Sequence, residues 1–332
     1  MITLRYLIRR TIYMAITLFI ALTLVFLLPR AVPGNPVMDV LLTKYAGRIN
    51  PYQLKIIESE LHLGGTLWQQ YVGFWGSLIH GNFGPSFYYY PEPVSQLIMT
   101  HLPWTLFLLG TSLMISIVLG IFIGSYSGWK RGASDSFLQG FSISLTSVPY
   151  FWLALIFQLV FAVLIVINGF HIFPVAQGYG ITVTPGTNLP FVLSVLRHSA
   201  LPIITLVITS FTGFALLMRN TVVTVLDEDY VLLAKAKGLS DNTIRKQYVN
   251  KNARLPVATS VALAFASIVG GAFLVEVVFS YPGIGYVLYN AVTVSDYPLI
   301  EGIFVMITFT TIIANFIVDL LYAYLDPRVV LK

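Results

Sequence analysis

The sequence contains no cysteine, which excludes disulfides, thiolate metal sites and cysteine nucleophiles together. Charge is almost as scarce. Only 10% of the 332 residues are charged, where a soluble domain carries roughly 25%. The 19 Lys and Arg and 14 Asp and Glu cannot coat a globule of this size, and 57% of the chain is hydrophobic, so its outer surface faces lipid. A soluble enzyme is excluded. The chain has no Gly-Lys dipeptide and therefore no Walker A loop, and neither Gly-x-Ser-x-Gly nor His-Glu-x-x-His occurs. Its histidines, His62, His80, His101, His171 and His198, fall outside or at the edges of the apolar runs and lack metal-ligand spacing. A net charge of +5 is compatible with nucleic acid, but the bases form no single stripe, and membrane orientation explains them better.

Long apolar runs are what the sequence has instead. A bilayer core needs about 20 predominantly apolar residues in one helix, because backbone groups in lipid must be satisfied within the segment. Six stretches meet that length: Tyr6 to Leu28, Pro103 to Tyr126, Phe137 to Ile167, Leu201 to Met218, Val257 to Phe279 and Ile300 to Tyr324. The first, preceded by Arg5, Arg9 and Arg10, has the flank of a signal peptide. It is too long for such a core and ends in a poor cleavage site, Pro29-Arg30-Ala31-Val32. With the N-terminus in the cytoplasm, 14 of the 19 Lys and Arg residues fall inside; Arg30, Lys44, Arg48, Lys55 and Arg197 fall outside. Four of those five lie in or beside one long loop, which the positive-inside rule discounts. Both termini are therefore expected in the cytoplasm.

The expected organisation is a cytoplasmic start and first span (1–30), an extracytoplasmic segment (31–102), a membrane domain (103–325) and a cytoplasmic tail (326–332). The 31–102 segment is rich in aromatics, among them Trp68, Tyr71, Phe74 and Trp75, which mark the membrane interface. A second external loop, Asn168 to Leu196, carries the Pro and Gly of irregular chain.

Helices associate in lipid through small residues. Ser112, Ser116, Gly120, Gly124 and Gly128 form one such stripe; Ala258, Ala262, Ala266 and Gly270 form another. Packing within the chain and contact with a second subunit both fit them. Thr308, Thr311, Asn315 and Asp319 share a face of the last span and line a pathway or make interhelical hydrogen bonds. Glu276 and Glu301 lie near outer ends, where solvation is expected.

The loop at 220–256 is the most informative stretch. Asp227, Glu228 and Asp229 open a helix that Lys235 and Lys237 close, complementing its dipole, and Gly238 can take the left-handed conformation that ends it. Ser240 or Asp241 can cap a second helix, in which Ile244, Tyr248 and Val249 oppose Arg245 and Lys246 until Pro256 starts the next span. Physically this is a helix-turn-helix that docks on protein or rests on anionic lipid.

The segment resembles the EAA loop of permease subunits of ATP-binding-cassette importers, specifically the oligopeptide/dipeptide/nickel family. Asp229, Tyr230, Val231, Ala234, Ala236, Lys237, Gly238 and Leu239, then Asn252, Ala253 and Pro256, match its pattern. Leu7-Ile8-Arg9-Arg10, Pro33-Gly34-Asn35-Pro36, the run His80 to Ser86, Tyr281-Pro282-Gly283-Ile284-Gly285 and Asp326-Pro327-Arg328 are similar to the family's other signatures, in the same order. Tyr248, Lys251 and Asn82 depart from it, standing where the family usually has His, Arg and Asp.

The resemblance implies an all-α integral membrane protein with the six-helix type I importer permease fold and a large external segment between helices 1 and 2. It implies a transport subunit without catalysis or bound cofactor of its own. Its partners are a second permease, two ATPases that use ATP and Mg, and an extracytoplasmic substrate-binding protein; membrane lipid surrounds it and nucleic acid has no part. Asp229, Tyr230, Ala234, Ala236, Lys237, Gly238 and Leu239 are the expected ATPase-docking residues. Thr311, Asn315 and Asp319 are the candidates for lining the pathway, and Gly120, Gly124, Ala262, Ala266 and Gly270 for helix packing. Di- or oligopeptides are the favoured cargo, with oligosaccharides or nickel as alternatives. An ion-coupled secondary transporter is the rival class, and it lacks the broken inverted halves and midplane charges it would need.

Overall fold

The computed structural model describes residues 4–31, 66–167, 170–266 and 273–325. Pro33–Pro36, Gly270 and Asp326–Arg328 lie outside the described residues. The regular elements of the described chain are helices and one two-residue antiparallel pair, β1 (Val166–Ile167) and β2 (Phe170–His171), joined by irregular stretches. In order the helices are α1 (Leu4–Ala31), α2 (Leu67–Ile79), α3 (Val94–Lys130), α4 (Ala133–Thr146) and α5 (Tyr150–Phe157, prolonged by π-helical turns over Gln158–Leu164). They continue with α6 (Leu189–Leu226), α7 (Asp229–Ala236), α8 (Asn250–Ala266), α9 (Phe273–Val278), α10 (Ile284–Thr293) and α11 (Tyr297–Leu325).

Four of these are long and apolar enough to cross a membrane: Arg5–Ala31, Val94–Lys130, Leu189–Leu226 and Tyr297–Val318. Among the described residues a fifth is counted if α4 and α5 are taken as one span, and they are bent by 95°. The stretch 137–167, read as a single span, is thus broken, and Pro149 explains the break. Its ring disfavours helical backbone at Val148, and its missing N–H suits the start of a helix; its carbonyl accepts from the Trp152 and Leu153 amides. The stretch 257–279 falls partly on α8 and α9, and its described apolar helix, Pro256–Phe265, is short. Pro256 does not start a helix. It sits inside α8, which runs from Asn250, so the loop's second helix and the following apolar segment are continuous. At the other end of the expected external loop, Asn188 caps α6 by accepting from the Phe191 amide at 2.9 Å, so that the helix begins at Leu189, twelve residues ahead of the expected start.

The chain divides into two compact units. The first holds residues up to Thr105, then 272–277 and 282 onward. In it α1 runs along α11, and Phe87, Val94 and Ile98 pack with Ile284, Leu299 and Ile303 in its core. The second unit holds residues 106–271 and 278–281. There α3 and α6 approach closely: a Cβ on Gly124 would collide with the Ala215 carbonyl oxygen, and one on Gly120 would stand 2.8 Å from the Phe211 oxygen.

Candidate functional site

The site is the hairpin that follows α6. Asp229 stands in the first turn of α7 and Lys235 in its last, as the helix dipole favours. Gly238 then takes φ of +72°, which a side chain would strain. Its amide donates to the Lys235 carbonyl at 2.9 Å and the Leu239 amide to that of Ala234 at 3.3 Å, closing the helix end. The Ser240 hydroxyl accepts from the Thr243 amide at 3.3 Å and so starts the return helix.

That return runs through Asp241–Thr243 into π-helical turns over Ile244–Val249, where the Asn250 amide donates to the Arg245 carbonyl five residues back. In an ordinary α-helix, residues five apart diverge around the axis. The wider turns bring Ile244 and Val249 to one face, where both are buried against Met218, Val222 and Val257. Val231 and Ala234 complete this cluster from α7, one turn apart. The hairpin is therefore fastened to α6 and α8 by its own apolar face, and the Ser125 hydroxyl donates to Asn250 Oδ1 at 2.8 Å beside it.

This anchoring decides which residues face outward. Ala234 is only 2% exposed, whereas Leu232 and Leu233 are 67% and 56% exposed. Ala234, one of the expected docking residues, instead lies buried between α7 and its neighbours, packed with Val231, Met218 and Val222. Asp229, Tyr230, Ala236, Lys237 and Gly238 are exposed, and Leu239 is half-buried against the cluster. Leu232 and Leu233, not singled out in the sequence, are the large apolar residues this face presents. The sequence signal was available in the three-residue step from Val231 to Ala234, which sets the buried face and turns the two leucines away from it.

At the base of the hairpin, Arg219 makes a bidentate pair with the buried carboxylate of Asp135, at 2.9 Å from Nε and 2.6 Å from Nη2. Ser127 donates a further bond at 2.7 Å. Arg219, counted in the sequence only as a positive charge, joins the end of α3, the start of α4 and α6.

The remaining candidates are scattered. Gly120 and Gly124 face Phe211, Phe214 and Ala215 of α6. Ala262 is half-buried on α8, and Ala266 ends that helix. On α11, Thr311 is half-buried and Asn315 exposed; Asp319 lies on the helix, its side chain outside the described residues. Among the described residues no group of three or more His, Asp or Glu is placed to hold a metal.

Two carboxylates expected to be solvated are not. Glu276 is buried and accepts from the Thr105 hydroxyl at 2.8 Å, the Gly285 amide at 2.6 Å and the Tyr286 amide at 3.3 Å. Gly283 supplies the space, since a Cβ there would overlap the carboxylate. Glu301 pairs with Arg30, whose Nε also donates to Gln70 at 3.0 Å. Asp296, between α10 and α11, accepts from the Ser86 hydroxyl and from the amides of Phe87, Tyr88 and Leu299. Burial pushes its carboxyl above the ordinary carboxylate range, against those four donors.

Long apolar helices with interior ion pairs and one fastened surface hairpin define a multi-pass helical membrane protein. Comparison with known proteins narrows this. Residues 116–331 match the family described as the binding-protein-dependent transport system inner membrane component, and residues 3–109 match the N-terminal region of such membrane components. The chain belongs to this family. It is 34% identical over 335 residues to a Brucella suis protein named as a peptide permease, covering 98% of this chain and 99% of that one. An oligopeptide transport system permease protein of Haemophilus influenzae is 31% identical, covering 98% and 99%. A dipeptide transport system permease protein of Bacillus subtilis is 32% identical, covering 98% and 97%.

Proposed function

We propose that this chain is a pore-forming subunit of an ATP-driven, binding-protein-dependent importer of di- and oligopeptides. The names borne by its relatives across their whole length support peptides over oligosaccharides or nickel. In this reading it crosses the membrane six times, with both termini cytoplasmic and the segment 31–102 outside. It pairs with a second permease, receives cargo from an external binding protein and sits on two ATPases that bind the ATP and Mg. Thr311, Asn315 and Asp319 line the route or steady the last helix. The six-span reading requires α4 and α5 to make one bent crossing and 257–279 to make another.

The observation that carries this reading is the outward face of α7. Leu232 and Leu233 stand exposed on a short helix whose opposite face is locked to α6 and α8. With the neighbouring Tyr230 the two leucines form an apolar patch that a partner surface can cover. A rigidly mounted helix seated in a groove of the ATPase passes the ATPase's closure to the membrane helices as a rigid-body movement. Asp229, Tyr230, Ala236, Lys237, Gly238 and Leu239 frame the contact.

The test is a pair of variants in the assembled transporter. Leu232→Asp with Leu233→Asp should leave membrane insertion intact while the ATPase subunits are lost on purification and peptide uptake falls to background. Gly238→Trp should likewise preserve insertion and uncouple ATP hydrolysis from uptake. Normal peptide transport by both would overturn the docking assignment.

A further inference from the structure

We infer that α2 is a re-entrant membrane helix that dips into one leaflet along α1, with its outer apolar row, Trp68, Val72 and Ile79, seated among lipid acyl chains. The thirteen residues of α2 contain no charged side chain. Around the helix they separate cleanly. Tyr71, Phe74 and Leu78 fall on one side; Trp75, Trp68, Val72 and Ile79 continue the apolar arc; Gln69, Gln70, Gly73, Gly76 and Ser77 occupy the opposite arc.

The first side is accounted for by α1. Phe74 and Tyr71 pack on Phe26, with ring centroids 5.5 Å and 5.1 Å apart, and Trp75 stacks on Phe19 at 5.3 Å. The hydroxyls of Tyr71 and Thr23 lie 2.8 Å apart. As α2 advances from Gln70 to Trp75, its partners on α1 run back from Arg30 to Phe19. The helix therefore descends along a segment long and apolar enough to cross the membrane.

Among the described residues the outer row has no such partner. Trp68, Val72 and Ile79 are 70%, 53% and 78% exposed. They continue laterally from a flank of α1 on which Phe19, Ile20 and Leu24 are exposed as well. That flank belongs to a membrane-crossing helix, so the solvent it meets is hydrocarbon, and the row beside it meets the same one.

The far end of α2 is built for a place with little water. Its terminal carbonyls are taken up internally: Gly76 by the His80 amide, Ser77 by the Asn82 amide at 2.9 Å and Leu78 by the Gly81 amide at 3.1 Å. The helix is too short to cross, because thirteen residues span roughly 20 Å against a core of about 30 Å. The chain instead returns on the side it came from. Phe83 faces Gly302, and Ser86 then reaches Asp296, at the very start of α11. Entry and return on one side, with a polar arc on the third flank, describe a helix that dips into one leaflet without crossing.

Because the chain has no cysteine, single thiols report without background. Val72→Cys and Ile79→Cys, with Gln69→Cys and Ser77→Cys as polar-arc controls, are to be nitroxide-labelled in the full chain reconstituted into phosphatidylcholine vesicles. Collision with oxygen is then compared with collision with a water-soluble nickel chelate. The expected result is several-fold higher oxygen than nickel accessibility at positions 72 and 79, and the reverse at 69 and 77. Equal nickel accessibility at all four positions would mean a water-exposed helix and overturn the inference. Protection of 72 and 79 from both reagents, with an immobilised spectrum, would mean that protein covers the row, and would overturn it too.

Discussion

A methyl group added to Gly124 should loosen the second unit, whereas the same methyl on Gly110, fourteen residues earlier on the same helix, should not. At Gly124 the new Cβ would fall on the Ala215 carbonyl oxygen and stand 3.0 Å from Ala215 Cα, both backbone atoms of α6 that cannot rotate away. The two helices must part, and overpacking of this kind costs roughly 1–3 kcal/mol. At Gly110 a Cβ meets nothing within 4 Å, so only the helix-propensity gain of alanine over glycine, up to about 1 kcal/mol, remains. The propensity gain is common to both sites and cancels, so the two variants should differ by the overpacking term alone, roughly 1–3 kcal/mol, with Gly110→Ala the more stable. Titrating the purified protein in mixed micelles with dodecyl sulfate, followed by circular dichroism, measures the difference. A common shift for Gly124→Ala and Gly110→Ala would show that α3 and α6 do not approach through the glycine stripe.

Other consequences are equally specific. Glu276→Ala strips the acceptor from the Thr105 hydroxyl and two amides, and should destabilise its unit by about 3 kcal/mol in the same titration. Arg219→Met leaves the Asp135 carboxylate buried without its bidentate partner and should cost about 3–5 kcal/mol; adding Asp135→Leu should recover much of that loss. Asp296 has a folded-state pKa raised by burial, so its proton is held more tightly folded than unfolded. Its contribution is complete below the ordinary Asp value and disappears as pH rises through the raised one. The stability of the parent relative to Asp296→Asn should therefore increase as pH is lowered towards about 4, and unfolding midpoints across that window read it directly.

Much of the hairpin was legible because its determinants are local. A glycine that must end a helix, a serine that must cap the next and the order of acids before lysines all act within a few residues, and Gly238, Ser240 and Asp229 sit where those rules put them. What was not legible depends on register. Ala234 belongs to a motif of small residues, and smallness serves equally to admit a partner or to let two helices of one chain touch. Only the burial of Val231 and Ala234 against Met218 and Val222 decides between them. The apolar face of Ile244 and Val249 was legible, but the π-helical turns that bring two residues five apart onto it were not.

The carboxylates show the same limit at longer range. Hydropathy places Glu276 and Glu301 near span ends and Asp135 just before one, and the economical expectation for a charge at such a place is water. Each instead closes on donors that are distant in sequence: Glu276 on Thr105, Glu301 on Arg30, Asp135 on Arg219. The pattern is consistent because a chain with so few charges and so much apolar surface has little else with which to fix helix order. Apolar contacts between lipid-soluble helices discriminate poorly among partners, since lipid competes with each of them. A buried carboxylate does not tolerate substitution of its partner by lipid, so it selects one neighbour and one depth. Rarity of charge, which first marked this chain as a membrane protein, thus also explains why its few interior charges specify how the helices meet.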